Sequence, residues 1–461
     1  MSLEASLTAK ARALKAAGDL DAALDCYRRA VAAAPSSGAA EHNLAANLGN
    51  MELYSEAAEA ASRAIAKGHD APETRLVRAR AREGLGDLAG AEADYRAALA
   101  KRPAYVEALS GLAHLTWVAT GDVGAALAVL PAQDAPPIAL IRARLLTGAG
   151  RLEDAYAAVE PLARLAPREP AAQVEAAKLA APVDPARAVA HAERAFALVP
   201  HDPRVICVLA ESLLAAGDAA RAARLVEGVA AKIPDDQGVL ALLATAWRLT
   251  NDPRYADLAQ RDELVGSHAI ATPPGWPDLD TYLADLATSL NALHEGRAPP
   301  LGQSVRHGTQ TKQSLLRSRD PAIMAFFQAV DAPIRQHLAA LGQGDHPTKR
   351  RKRGGYRLAG AWSVNLSAGG FHTDHVHPEG WLSSAFYVQL PPAVESPGKA
   401  GWLRFGKPGL PTRPTLEPER WIKPAPGRLA LFPSWMWHGV EPFEGEGRRL
   451  TIAFDLLPSQ G

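Results

Sequence analysis

Apolar positions recur at helical spacing through roughly the first 260 residues and at strand spacing through roughly the last hundred. The chain therefore divides into an α-helical part and a β part. In the first part, Gly18, Ala23, Tyr27, Ala30 and Pro35 form a pattern that Gly86, Ala91, Tyr95, Ala98 and Pro103 repeat 68 positions later. Gly150, Ala155 and Pro167 keep three of these places, as do Gly217, Ala222 and Pro234, and also Ala188, Ala195 and Pro200. The unit around Leu48 to Ala64 lacks its glycine, and the last segment, Trp247 to Leu264, is predicted to cap the array. Beyond Pro273, Pro274 and Pro277 the pattern changes. A helix capped by Asp278 or Asp280 is predicted through Leu293, and a second after Pro321 as far as Leu341, with the polar run from Pro299 to Leu316 between them as a loop. From Tyr356 onward, YRLAGAWSVNL, SSAFYVQL, GWLRFG, ERWIKP, GRLALF and RLTIAFDLL alternate like strands of a sandwich or jelly roll.

The repeat resembles the tetratricopeptide repeat. In that unit small Ala residues let paired helices approach, an aromatic fills the seam and Pro ends the second helix. The resemblance implies a curved solenoid whose groove takes a protein or peptide partner, or serves self-association. The predicted organisation is thus multidomain α + β. It comprises a repeat solenoid over 1–264, linker and supporting helices over 265–345, and a compact β domain over 346–461. A β domain with its own core is expected to fold without the repeats.

Composition narrows the function. Fifty basic residues balance fifty acidic ones, so no global field draws the chain to nucleic acid or to an anionic membrane. Cys26 and Cys207, 181 positions apart, offer neither a disulfide framework nor a thiolate metal site, which suits a reducing cytoplasm. The N-terminus alternates apolar and charged residues, so neither a secretory signal nor a membrane span is expected. The run Lys349, Arg350, Arg351, Lys352, Arg353 lacks interleaved aromatics and reads as a junction or acidic-partner contact rather than a nucleic-acid site.

The chemistry lies in FHTDHVHPEGWLSS and in FPSWMWHGVEPF. Alternate strand residues share a face, so either His372 with Asp374 or His375 with His377 can aim two ligands into one cavity. His438, 61 positions beyond His377, supplies a third from another strand. Arg449 opens the last strand, where its planar fork suits a carboxylate.

This set resembles the 2-oxoglutarate/Fe(II) oxygenase superfamily with its double-stranded β-helix. It resembles more narrowly a bacterial and phage branch that carries His-x-His-Pro. The residues that match are Trp362 and Asn365; His375, His377 and Pro378; Ser383 to Tyr387; Phe432 to Ser434 with His438; and Arg449 with Thr451. Ser384 replaces a glycine of the branch pattern and Thr451 a serine. The superfamily at large favours His372 and Asp374 as the first ligands. The branch favours His375 and His377, with Asp374 orienting a ligating ring. The resemblance implies Fe(II), 2-oxoglutarate and O2 as cofactor and co-substrates, with Arg449, Tyr387 and Asn365 lining the co-substrate pocket. It implies a dioxygenase, by default a hydroxylase, acting on a protein or peptide recruited by the repeats. A small-molecule hydroxylase with repeats for assembly, and an inactive-oxygenase scaffold, are the competing readings. The substrate and the oligomeric state are left open.

Overall fold

The turn between the two helices of a repeat is in most units two or three residues long, and in several it ends in a glycine and an aspartate. Gly18, Gly86 and Gly217 sit in the left-handed region, with φ of 84°, 79° and 95°. Asp19, Asp87 and Asp218 follow them and cap the next helix by accepting an N–H of its first turn. In the unit without a glycine, Glu52 adopts the same left-handed backbone at φ 58°. The template alanines Ala23, Ala91, Ala98, Ala155, Ala188, Ala195 and Ala222 are completely buried, which is what lets helix axes close up.

This is a computed structural model; it describes residues 2–132, 135–294 and 302–459. The chain forms two compact units, 1–145 and 146–461. The first contains helices such as Leu3–Ala16, Leu20–Ala33, Gly38–Asn50 and Tyr54–Ala66, closed over a core of Ala23, Tyr27, Leu44, Leu48 and Ala60. The second begins with more repeats, including Pro203–Ala216, Ala219–Ala230 and Gln237–Thr250, and passes into the sheet.

Among the described residues nine strands make one antiparallel sheet: β1 (Gly266–Ala269), β2 (Val305–Gln310), β3 (Tyr356–His375), β4 (Leu382–Gln389), β5 (Leu403–Phe405), β6 (Arg420–Ile422), β7 (Arg428–Pro433), β8 (His438–Val440) and β9 (Arg449–Pro458). Their order is β1-β7-β4-β9-β3-β8-β5-β6, with β2 against β3. The sheet curls nearly into a barrel of jelly-roll type. The 20-residue β3 makes this possible, because β9 pairs with its first half and β8 with its last residues.

Directly paired residues share a face. Along β9, Leu450, Ile452, Phe454 and Leu456 face outward, where Phe326 of the Pro321–Ala329 helix packs against Phe386 and Phe454. Arg449, Thr451, Ala453 and Asp455 face inward with their β3 partners Leu366, Val364, Trp362 and Gly360. A polar site is thereby enclosed by an apolar shell.

Two local expectations are corrected. Part of the expected loop is β2, whose edge position tolerates its polar sequence; Pro299 to Leu301 lie outside the described residues. The helix expected from Pro321 to Leu341 is two, Pro321–Ala329 and Asp331–Leu341, because Pro333 removes an amide donor and crowds the carbonyl of Ala329.

The last repeat packs directly on the sheet. Leu240, Ala244, Leu258 and Leu264 belong to the same buried cluster as the strands. Trp437 donates its indole N–H to Thr245 Oγ1 at 2.9 Å, and Arg248 donates to the carbonyls of Gly406 and Glu417 at 2.8 Å each. Four of the five residues of the basic run are engaged here too. Lys349 pairs with Glu263 and Arg350 with Asp235, each at 2.7 Å, while Arg351 and Lys352 bind backbone carbonyls. The acidic partner expected for this run is the chain itself.

Candidate metal centre

Two register positions decide where the histidines point. His372 of β3 faces Val440 of β8, and His375 faces His438. Three steps on β3 thus match two on β8, which makes a β-bulge. Strict alternation would put His372 and His375 on opposite faces, but the bulge puts both inside and turns Asp374 outward. His377 follows just beyond the end of β3, held by its N–H donating to the Ser434 carbonyl at 2.9 Å.

The potential ligand atoms of His375, His377 and His438 lie within 4.8 Å of one another. Their ring centroids are 4.2 to 5.2 Å apart. In each ring Nδ1 is spoken for: His375 donates it to the Thr373 carbonyl at 2.8 Å, His438 to the Met436 carbonyl at 3.0 Å, and His377 to Asp455 Oδ1 at 2.6 Å. Because these oxygens only accept, the proton sits on Nδ1 and each Nε2 presents its lone pair. Desolvation holds His375 down to about 4 and His438 well below the ordinary histidine range, reinforced by neighbouring rings. His375 and His438 are therefore neutral near pH 7, the form that ligates metal. Ser304 Oγ lies 3.3 Å from His375 Nε2 and 2.9 Å from His372 Nδ1.

The remaining candidates separate into those facing the interior and those that do not. His372 stacks on His375 at 5.9 Å but falls outside the three-histidine cluster. Asp374 makes a two-pronged ion pair with Arg404, at 2.9 and 2.8 Å, on the outer face. It meets no ring of the cluster; Asp455, which no sequence motif singles out, meets His377 instead. A carboxylate on the same face of the final strand as Arg449 and Thr451 was the available signal. Asn365 pairs with Leu450 on the outer face and donates to Asn291 of the Leu279–Asn291 helix, so it does not line the interior. Trp362 stands 5.7 Å from His377, ring to ring.

Arg449 is 1% exposed and its Nε donates to the Gly401 carbonyl at 3.0 Å. Its Nη2 is buried and lacks a hydrogen-bond partner of good geometry, as does the hydroxyl of Tyr387. The guanidinium carbon lies 5.2 Å from the Tyr387 ring centre. Burial pushes the Tyr387 phenol up to about 12 and lowers Arg449 from its ordinary value. A buried cation with an idle donor is costly unless an anion meets it, so the pair fits a carboxylate. Three imidazoles converging on one wall fit a divalent metal such as Fe(II). Neighbouring Arg448 is exposed.

Residues 360–455 match the family model described as "Putative 2OG-Fe(II) oxygenase". Residues 179–246 match the tetratricopeptide-repeat model. No curated protein matches the chain. Among solved structures, a tetratricopeptide repeat protein from Parabacteroides merdae is 20% identical, covering 53% of this chain and 98% of its own, with TM-score 0.38. The C-terminal part of a repeat-containing protein from Cytophaga hutchinsonii is 14% identical over 51% of this chain and 99% of its own, with TM-score 0.37. The second such domain of human RPAP3, solved with an HSP70 peptide, is 24% identical over 24% of this chain and 94% of its own, with TM-score 0.24. The oxygenase match covers the strands that carry every histidine of the cluster together with Arg449 and Asp455. No helix among the described residues is long and apolar enough to cross a membrane.

Proposed function

We propose that this protein is an Fe(II)- and 2-oxoglutarate-dependent oxygenase, by default a hydroxylase, whose repeats recruit a protein or peptide substrate. The observation that carries the reading is the conjunction, inside one curled sheet, of three convergent imidazoles and a fully buried arginine with an idle donor. His375, His377 and His438 hold the metal through Nε2, and Arg449 with Tyr387 holds the far carboxylate of 2-oxoglutarate. When bound, Fe(II) and 2-oxoglutarate supply oxygen-dependent oxidation of a C–H bond, coupled to decarboxylation to succinate. The chain's own work is to fix three ring planes, neutralise a carboxylate in a dry interior and exclude water behind the aromatic wall of Trp362 and Phe432. The repeat match and the repeat packed onto the sheet support recruitment of a macromolecule.

The test is anaerobic mixing of Fe(II), 2-oxoglutarate and the full chain. A weak visible charge-transfer band and calorimetric binding of 2-oxoglutarate only with metal are expected. Folded, metal-treated protein with neither signal refutes the assignment. Oxygen admitted in the presence of host lysate should then yield peptides heavier by one oxygen. Modified metabolites without modified peptides would favour the small-molecule reading.

A further inference from the structure

We infer that Asp455 is a positioning residue for the metal, acting through the ring of His377 and replacing the carboxylate that the ligand set lacks. This rests on the metal site proposed above and concerns how that site is held. Three imidazoles are neutral donors, so the set brings no negative charge to a divalent cation. The carboxylate that lies nearest in sequence, Asp374, is committed to Arg404 on the other face of the sheet. Asp455 sits on the inner face of β9, level with Gly360 and Ser383, and its Oδ1 accepts the His377 Nδ1 proton at 2.6 Å.

The carboxylate is itself held. Ser383 Oγ donates to the same Oδ1 at 2.7 Å and lies 2.9 Å from Ser434 Oγ, while the Ser434 carbonyl receives the His377 backbone N–H. His377 is thus pinned at its main chain by Ser434 and at its ring by Asp455, which Ser383 braces. Gly380 leaves room for this arrangement, since a Cβ there would come within 2.2 Å of Ser434 Oγ. The rings of His375 and His438 rest on neutral carbonyls, so His377 alone in the cluster rests on a charged acceptor. A carboxylate on Nδ1 fixes the tautomer, orients the ring plane and makes Nε2 a stronger donor to a cation.

The experiment uses the full chain with Asp455→Asn, Asp455→Glu and Ser383→Ala. Mn(II) affinity is read by calorimetry, ligand geometry by the visible spectrum of the Co(II)-loaded protein, and folding by circular dichroism without metal. Asp455→Asn should bind Mn(II) about 10- to 100-fold more weakly and alter the Co(II) bands. Asp455→Glu should recover part of the affinity, and Ser383→Ala should lose a smaller part. A folded Asp455→Asn protein with unchanged affinity and spectrum overturns the inference. Should that variant fail to fold, unchanged Mn(II) affinity in both other variants overturns it instead. Failure of the wild-type chain to bind either metal is a separate result and refutes the metal site itself.

Discussion

Removing residues 1–260 should unfold the β domain, whereas removing residues 1–148 should not. The shorter cut leaves most of the second compact unit, 146–461, in place. The longer cut takes Leu240 and Leu258 out of the core they share with the sheet. It also severs the bonds from Arg248 to Gly406 and Glu417, the bond from Trp437 to Thr245, and the contact of Tyr255 with Glu419. At about 1.5–3 kcal/mol per buried aliphatic and about 0.5–1.5 kcal/mol per hydrogen bond, the loss is on the order of 5–12 kcal/mol. That equals the entire stability of an ordinary domain. Urea unfolding followed by tryptophan fluorescence and far-ultraviolet circular dichroism checks this. Fragment 149–461 should give one cooperative transition, and fragment 261–461 none. A cooperative transition in 261–461 with the same midpoint as 149–461 would refute the packing argument and restore the independent β domain expected from the sequence pattern.

Arg449→Ala should weaken 2-oxoglutarate binding by about 2–5 kcal/mol while metal affinity changes little, and Arg448→Ala should do neither, as calorimetry would report. His377→Ala and His438→Ala should lose Fe(II) under anaerobic loading, whereas Asp374→Asn should retain it and instead lower stability by up to about 3 kcal/mol, because Arg404 loses its two-pronged partner and keeps only Glu441; metal lost from Asp374→Asn and kept by His377→Ala would restore the His372–Asp374 alternative. Acid should destabilise the metal-free protein early. His294, His337 and His375 are each held down to about 4, below the ordinary 6.5, so between those values the unfolded chain binds protons that the folded chain refuses. Stability is therefore full above about pH 6.5 and declines toward pH 4. Melting temperatures across that window check the sign, and His337→Phe should flatten the slope.

The features legible in the sequence were those whose cause is local. A left-handed turn needs glycine, so Gly18, Gly86 and Gly217 announced the repeat; Glu52 adopts the same backbone without announcing it. The caps and apolar stripes of the Leu279–Asn291 and Pro321–Ala329 helices were local as well. What could not be read depends on pairing across distance. The bulge between His372 and His375 is a property of β3 and β8 together, so strand alternation alone presented as rivals two histidines that share a wall. Asp374 looked like the carboxylate of the site because it is near in sequence. Its real partner, Arg404, is 30 positions away, and the partner of His377 is 78 positions away. Asn365 was misplaced for the same reason: only its pairing with Leu450 reveals which face it occupies.

The direct seating of the Gln237–Thr250 helix on the β5–β6 and β7–β8 segments has a consequence for selectivity. A catalytic domain on a slack tether samples a sphere and modifies whatever accessible residue comes near, with preference set by local concentration. Here the last repeat and the histidine wall share one hydrophobic core. Cargo held on that repeat would be presented like work clamped to a lathe, at a constant offset from the cutting point. Selection would then follow spacing, the number of residues between docking segment and target atom, more than the residues flanking the target.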